Sequence, residues 1–479
     1  MKLDNHKEKL TITVGPSITT LEMMKNVIKA GATVIRANFS HGSIEEQRIK
    51  FDLARQAAHD LGVNISLLLD TKGPEIRVGK IKNGAVLIEQ NQELKIISTP
   101  QAYQNLEGNQ NQVSVAYDMS VDLKVGDKVL FDDGKLSSNV TQINPGEIIV
   151  KTLNSHILKT NKRINLPNVD FSLPFLSDKD INDIKFGIEY GVDFIAASFV
   201  NSAKNVNELR ELLNNNGGEQ IQIISKIESQ IAINNIDEII EASDGIMIAR
   251  GDLGLEIPYY EVPYWQQQII DKCRQIGKIV IVATQMLDSL ENNPQPTRAE
   301  VSDVYWATSY GADSTMLSNE TAAGKYPVRA VEVMRTINQQ AENDYYASSF
   351  YTNWVNYLLN KLDMDNEQNI LISKIVKAVQ NGDYKYTFVV TKNPILLNKL
   401  SQFRLNTVFI GILPNDKMQY GFGATSGVKI VFNSAKWYKQ IINDETKISE
   451  LEQMVEFQKD DKYALVLENE LKYKKFSKY

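Results

Sequence analysis

Short apolar and β-branched runs recur along the chain, separated by stretches with helical periodicity. Residues 10–14 (Leu-Thr-Ile-Thr-Val) are stopped by Gly15-Pro16 and predict a first strand. Residues 17–29 predict a helix, because Leu21, Met24, Val27 and Ile28 fall at helical spacing and Gly31 stands just past its end. A strand at 33–38, a helix at 44–61 and a strand at 65–69 follow. Strand, helix, strand, helix, strand is the signature of a right-handed parallel sheet.

From residue 79 to about 166 the helical period vanishes. Alternating runs at 93–97, 128–131 and 147–150 are broken by Asn83-Gly84, Val125-Gly126-Asp127 and Asp133-Gly134, which predicts a small all-β insert with hinges at Val78-Gly79 and Leu166-Pro167. The helix–strand rhythm then returns. Ser177 caps a helix, and apolar strands are predicted at 194–199, 222–227, 245–249, 279–283 and 313–317. Three strands before the insert and five after it make a (β/α)8 TIM barrel, interrupted after strand three. Beyond about residue 343, a helix at 368–379 and strands at 387–390, 408–412, 429–432 and 464–467 predict a C-terminal α/β domain. The expected division is 1–78 with 167–344 for the barrel, 79–166 for an inserted β-barrel lid, and 345–479 for the last domain.

Composition narrows the function. A net charge of −7 with no basic stripe argues against nucleic acid as the main partner. The single cysteine, Cys273, excludes a disulfide framework and fits a reducing compartment. Residues 1–6 lack the apolar core of a signal peptide, and no apolar stretch is long enough to span a bilayer. The expectation is a soluble cytoplasmic protein.

Polar residues gather where the predicted strands end, the rim on which barrel enzymes build their sites. Strand two ends in Arg36, Asn38 and Ser40, strand three in Asp70 and Thr71 with Arg77 behind. Strand five supplies Lys226 and Glu228, strand six Asp252, strand seven Thr284, strand eight Ser318 and Glu320. Glu228 and Asp252 are hard oxygen ligands suited to a divalent cation that also takes phosphate oxygens. Lys226 is a point charge suited to phosphoryl transfer, and an arginine grips phosphate with two N–H groups. Asn38, Ser40, Asp70 and Thr71 form an oxygen set suited to a monovalent cation. Each has a plainer reading: a Lys-x-Glu salt bridge at the surface, an Arg36–Asp70 structural pair, Thr284 satisfying backbone, His41 as a hydrogen-bonded loop residue, Met286 and Leu287 as packing.

Seven ordered motifs decide between these readings. They are residues 34–42 (VIRANFSHG), 69–77 (LDTKGPEIR), 225–228 (SKIE), 249–254 (ARGDLG), 282–287 (VATQML), 296–304 (PTRAEVSDV) and 316–322 (MLSNETA). Together they resemble the pyruvate kinase family over nearly all of the chain. The resemblance implies a barrel with a β lid and a C-terminal α/β domain, and transfer of the phosphoryl group of phosphoenolpyruvate to ADP. It implies that Arg36 binds the substrate phosphate, that Gly251, Asp252, Thr284 and Lys226 contact the substrate, and that Lys226 stabilises the transition state. Asn38, Ser40, Asp70 and Thr71 would hold K+, and Glu228 and Asp252 Mg2+ or Mn2+. Asn38, His41, Arg77 and Lys162 would meet ADP or ATP. A cytoplasmic homotetramer is also implied, and Glu75 marks dependence on the monovalent cation.

Four departures stand out. Arg163 occupies a position where the family has a small residue, and Asn319 replaces a glycine, where a left-handed backbone is expected. Tyr305-Trp306 replace small residues near subunit contacts. Where the family binds an activating sugar phosphate, residues 391–395 keep one hydroxyl and no glycine, and 467–471 have no glycine and two carboxylates, so fructose 1,6-bisphosphate is not expected to activate. The glycine-rich stretch 421–427 is left as an anion site or a flexible connector. Two other functions remain: a magnesium barrel acting on an enolate without ADP, and a degenerate, non-catalytic copy.

Overall fold

The computed structural model describes residues 2–382, 384–456 and 461–475. Eight parallel strands close into a barrel: β1 Lys9–Thr13, β2 Val34–Asn38, β3 Ser66–Asp70, β4 Phe194–Ala197, β5 Gln222–Ile227, β6 Gly245–Ala249, β7 Ile279–Ala283 and β8 Ser314–Leu317. Nearly every strand residue is buried, which is why these strands read as solid apolar runs. Val34, Leu68, Phe194, Ile224, Met247, Ile281 and Met316 share one apolar cluster, while a larger one includes Ile12, Ile35 and Leu67 with helix residues such as Val27 and Phe51.

Several helices begin where side chains satisfy free N–H groups. The first starts at Leu21 rather than near Ser17, because Thr20 accepts from the Met23 N–H and Ser17 is used to bond Gly324 O. Helices Ile44–Leu61 and Asp178–Tyr190 open with capping boxes, Ser43 with Glu46 and Ser177 with Asp180. Asp180 also accepts from the N–H groups of Lys72 and Gly73, tying that helix to the loop after β3.

The insert contributes six strands, with Ile76–Arg77 just before it as the seventh, to a barrel-like sheet beside a separate two-stranded ribbon, and it has its own core of residues such as Ile96, Phe131, Val150 and Ile164. The strand Arg163–Asn165 pairs antiparallel with Ile76–Arg77, so the insert returns to the barrel beside the point where it left. The last region is a five-stranded sheet with four parallel strands and an antiparallel edge, Glu470–Lys475. That edge is absent from the expectation, because its sequence of alternating lysines carries no apolar run.

Two expectations are corrected. Asn319 is not left-handed; it opens the short helix Asn319–Ala322, and among the described residues it is not one of those with positive φ. Residues 421–427 are neither anion site nor loose connector. They pack against the ends where the barrel strands begin: Gly423 N–H donates to Ser66 Oγ at 3.0 Å, Ser426 N–H donates to Asp313, and Ala424 joins the barrel's interior cluster. A Cβ on Gly423 would come within 2.2 Å of Ser66 Oγ, so smallness here serves close packing.

Candidate active site

The register sets the floor of the site. β2 lies beside β3 with Asn38 opposite Asp70, and β3 lies beside β4, so the ends of all three converge. Asp70 is buried and carries two cations: Arg36 Nε donates to its Oδ2 at 2.7 Å, and Lys226 Nζ lies 3.2 Å from its Oδ1. Burial alone would raise Asp70, but Arg36 and Lys226 hold its carboxyl below the ordinary range. Arg36 Nη1 also donates to Thr13 Oγ1 at 2.7 Å, which fixes the guanidinium plane. The pairing of Arg36 with Asp70 is therefore real, and it orients Arg36 toward the cavity it lines.

Lys226 is the centre of the arrangement. Its ammonium meets Glu228 Oε1 at 3.0 Å and donates to Ser198 Oγ at 2.7 Å. Burial opposes its charge, but Asp70 and Glu228 outweigh that and raise its pKa. Glu228 is buried, and that burial raises its carboxyl despite Lys226. The Phe199 N–H donates to Glu228 Oε2 at 2.7 Å, while Oε1 faces the Lys226 ammonium. Phe199 holds a left-handed φ of 57°, a strained backbone that aims this N–H.

Ser198 is the residue that strand-end reasoning missed, since β4 contributed nothing to the expected rim. Its hydroxyl accepts from Lys226, donates to Thr71 O at 2.7 Å, and lies 3.3 Å from Asp70 Oδ1. Its N–H donates to Thr71 Oγ1 at 3.0 Å. A serine directly after Ala196-Ala197 does hold a strand-end position, the one signal that could have found it.

The opposite wall comes from β6 and β7. Thr284 and Gln285 are consecutive left-handed residues, φ 70° and 54°. Arg250 holds them: Nη2 donates to Thr284 O at 2.7 Å, and Nη1 meets Asp303 at 2.6 Å. Thr284 Oγ1 donates to Ala283 O at 2.6 Å and accepts from the Gly251 N–H at 2.7 Å.

A cavity of about 320 Å3 lies above this floor. Arg36, Asn38, Ser40, His41, Arg77, Lys162, Lys226, Glu228, Asp252 and Thr284 all line it. Asp70 and Thr71 are buried among its floor residues, and Gly251 reaches it through Thr284. The insert supplies the roof. Lys162 is held by Asp132 at 2.8 Å, which His156 also contacts at 2.8 Å, and Arg77 is held by Glu75 at 2.8 Å. Ser318 and Glu320 do not belong to it. Glu320 is buried and accepts from the N–H groups of Ser318 and Leu287, a structural task.

The donor chemistry fits two kinds of cation. Among the described residues, no three His, Cys, Asp or Glu side chains group to hold a metal unaided. Glu228 and Asp252 both line the cavity and offer two carboxylates that ligand oxygens and water would complete. Asn38, Ser40, Asp70 and Thr71 offer an all-oxygen set with a single carboxylate, and the register brings Asn38 and Asp70 together.

The family model described as pyruvate kinase, barrel domain, matches residues 5–331. The chain is 44% identical to the pyruvate kinase of Mycoplasma pneumoniae over 455 residues, covering 88% of this chain and 89% of that one. It is 49% identical to the pyruvate kinase of Bacillus licheniformis over 339 residues, covering 70% of this chain and 57% of that protein. The crystal structure of a pyruvate kinase from Cryptosporidium parvum superposes with a TM-score of 0.89 at 32% identity, covering 99% of this chain and 97% of that one.

Proposed function

The chain belongs to the pyruvate kinase family, and on that premise we propose how its own residues perform the reaction. That reaction transfers the phosphoryl group of phosphoenolpyruvate to ADP, giving pyruvate and ATP in the last step of glycolysis. The group in transit resembles metaphosphate, so catalysis consists of positioning and charge stabilisation. Lys226 places its ammonium beside the phosphoryl group and contributes most where charge develops. Arg36 spends Nε and one Nη1 hydrogen on Asp70 and Thr13 and keeps its remaining N–H groups for the substrate phosphate. Gly251, Asp252 and Thr284 line the enolate end. The Thr284 proton is committed to Ala283 O, which favours a water held near Thr284 as the source of the proton that converts enolate to pyruvate.

Arg77 and Lys162 take the nucleotide, together with Asn38 and His41. Glu228 and Asp252 would hold Mg2+ or Mn2+, and Asn38, Ser40, Asp70 and Thr71 K+; when bound, these cations neutralise charge on the phosphate oxygens. The insert roofs the cavity and excludes water from a transfer that hydrolysis would waste. We read the division at 1–78 with 167–344, 79–166 and 345–479 as the functional one, supported by separate apolar clusters. We also propose a cytoplasmic homotetramer. The exposed aromatic residues Tyr259, Tyr260, Tyr264 and Trp306 support subunit contacts, and no helix among the described residues is long and apolar enough to cross a membrane.

The observation that carries the proposal is the convergence of Arg36, Lys226, Glu228 and Asp252 on one cavity roofed by Lys162 and Arg77. Pyruvate formation from phosphoenolpyruvate is the test. It should require both ADP and a divalent cation; phosphoenolpyruvate consumed without ADP would mark an enolate lyase or mutase instead, and no consumption at all a non-catalytic copy.

A further inference from the structure

Arg163 stands on the strand Arg163–Asn165 of the insert, opposite Arg77 and next to Lys162. Its side chain leaves the insert and enters the barrel. Nη1 donates to Asp252 Oδ1 at 2.5 Å, the guanidinium carbon lies 4.8 Å from the Phe199 ring centroid, and Nε approaches Glu75 Oε1 only to 3.9 Å. Among the described residues, the ion pairs joining residues 79–166 to the barrel are both made by Arg163.

Two features are unusual for a structural salt bridge. The carboxylate engaged is one of the two offered to a divalent cation, so Arg163 and the cation compete for the same oxygen. In addition, Nη2 is buried without any hydrogen-bond partner, in a side chain that lines the cavity. A guanidinium edge left with unsatisfied donors in a desolvated pocket is costly and matches a pair of phosphate oxygens. Phe199 holds the plane of that edge, and its own N–H holds Glu228.

We propose that Arg163 is a phosphate-binding latch, exchanged between two anions. Without ligand it seats the insert on the barrel by covering Asp252. When the nucleotide's polyphosphate enters, Arg163 transfers to the phosphate oxygens and releases Asp252 to the divalent cation. The exchange couples three events through one side chain: closure of the insert, nucleotide binding and metal entry. Lys162 and Arg77 cannot perform it, since each is paired with a carboxylate, Asp132 or Glu75, that is not one of the two offered to the divalent cation.

This inference rests on reading the cavity as the phosphoryl-transfer site, and the experiment separates the two. Full-length wild type, Arg163→Gln and Arg163→Lys are compared for Mn2+ binding to the ligand-free protein by electron paramagnetic resonance, then for the KM of ADP. Removing the competitor in R163Q should tighten Mn2+ binding to free enzyme by about fivefold or more and raise the KM of ADP by about tenfold or more, the loss of one charge-assisted hydrogen bond. R163K keeps a charge without the fork and should fall between. The KM of phosphoenolpyruvate should change by less than about threefold, since Arg36 supplies that contact. If wild type makes pyruvate from phosphoenolpyruvate and ADP while R163Q leaves both Mn2+ affinity and the ADP KM unchanged, the latch is wrong and the site reading stands. If wild type has no such activity, it is the site reading that fails. Thermal midpoints of the three proteins show whether each variant is folded.

Discussion

Replacing Ser198 with alanine probes how the floor of the site keeps its charge in place. The hydroxyl is the neutral acceptor for Lys226 at 2.7 Å and the donor to Thr71 O at 2.7 Å, and Ser198 is almost fully buried. Its loss removes one hydrogen bond to a charged group and leaves a buried carbonyl short of a donor. At about 1.5–3 kcal/mol for the first and about 1 kcal/mol for the second, S198A should lose roughly 2.5–4 kcal/mol of stability. Lys226 keeps its two carboxylates, Asp70 at 3.2 Å and Glu228 at 3.0 Å, so it remains charged but is drawn toward them. A displacement of about 1 Å at a reacting group costs up to about 10²-fold in rate. The expected result is a kcat reduced by about 10- to 100-fold, with the KM of phosphoenolpyruvate nearly unchanged because Arg36 is untouched. Steady-state kinetics of pyruvate formation and a thermal unfolding scan report both numbers. A folded S198A protein with kcat within about twofold of wild type would refute the reasoning.

Other predictions follow from separate parts of the molecule. Burial raises Glu8 and Glu342, and Glu342 raises Glu8 further. Each therefore keeps its proton in the folded chain at pH values where the unfolded chain has lost it, so stability falls as pH rises above the ordinary carboxyl range. Glu342→Gln should make that fall shallower, and equal slopes in thermal midpoint between about pH 5 and pH 8 would contradict it. Activity should depend on K+, because the oxygen set is present and Glu75, bonded to Arg77, supplies no positive charge in its place; full activity in sodium or Tris buffer would sink this. Fructose 1,6-bisphosphate should not lower the apparent KM of phosphoenolpyruvate. The N–H groups of Asn393 and Ile395 are already spent on Thr391 and Asn393 side chains, and Pro394 has none. A marked drop abolished by mutating residues 391–395 would show otherwise.

How far the sequence could be read depended on what each segment buries. The barrel strands are enclosed by helices outside and by their own interior, so each is a short apolar run, and β5, β6 and β7 coincide with the expected ranges. The charged residues after those runs fall on one rim by topology alone, which made Arg36, Lys226, Glu228 and Asp252 legible. Elements held by a single edge left no such trace; Glu470–Lys475 is recognisable only by its partner. Ser198 was hidden because a serine beside alanines reads as packing until Lys226 is seen against it. The contact between Arg163 and Asp252 spans 89 residues, from the insert to the rim of the barrel, beyond any local pattern. Asn319 and Gly423 mislead in opposite ways. Reasoning from the usual glycine gave Asn319 a turn that is in fact helical, and reasoning from glycine's freedom gave residue 423 a mobility that close packing against Ser66 denies it.

The central claim, that Lys226 supplies the charge for phosphoryl transfer at this rim, is tested most directly by Lys226→Met assayed in two ways on the same preparation. Binding of phosphoenolpyruvate to the free protein, measured by protection of the chain from thermal unfolding, should be largely retained, because Arg36 remains. Phosphoryl transfer to ADP, followed as ATP formed in a single turnover, should fall by about 10²–10³-fold, the cost of losing one preorganised donor to the transition state. A folded K226M protein that binds phosphoenolpyruvate and transfers its phosphoryl group at a near-normal rate would contradict the account.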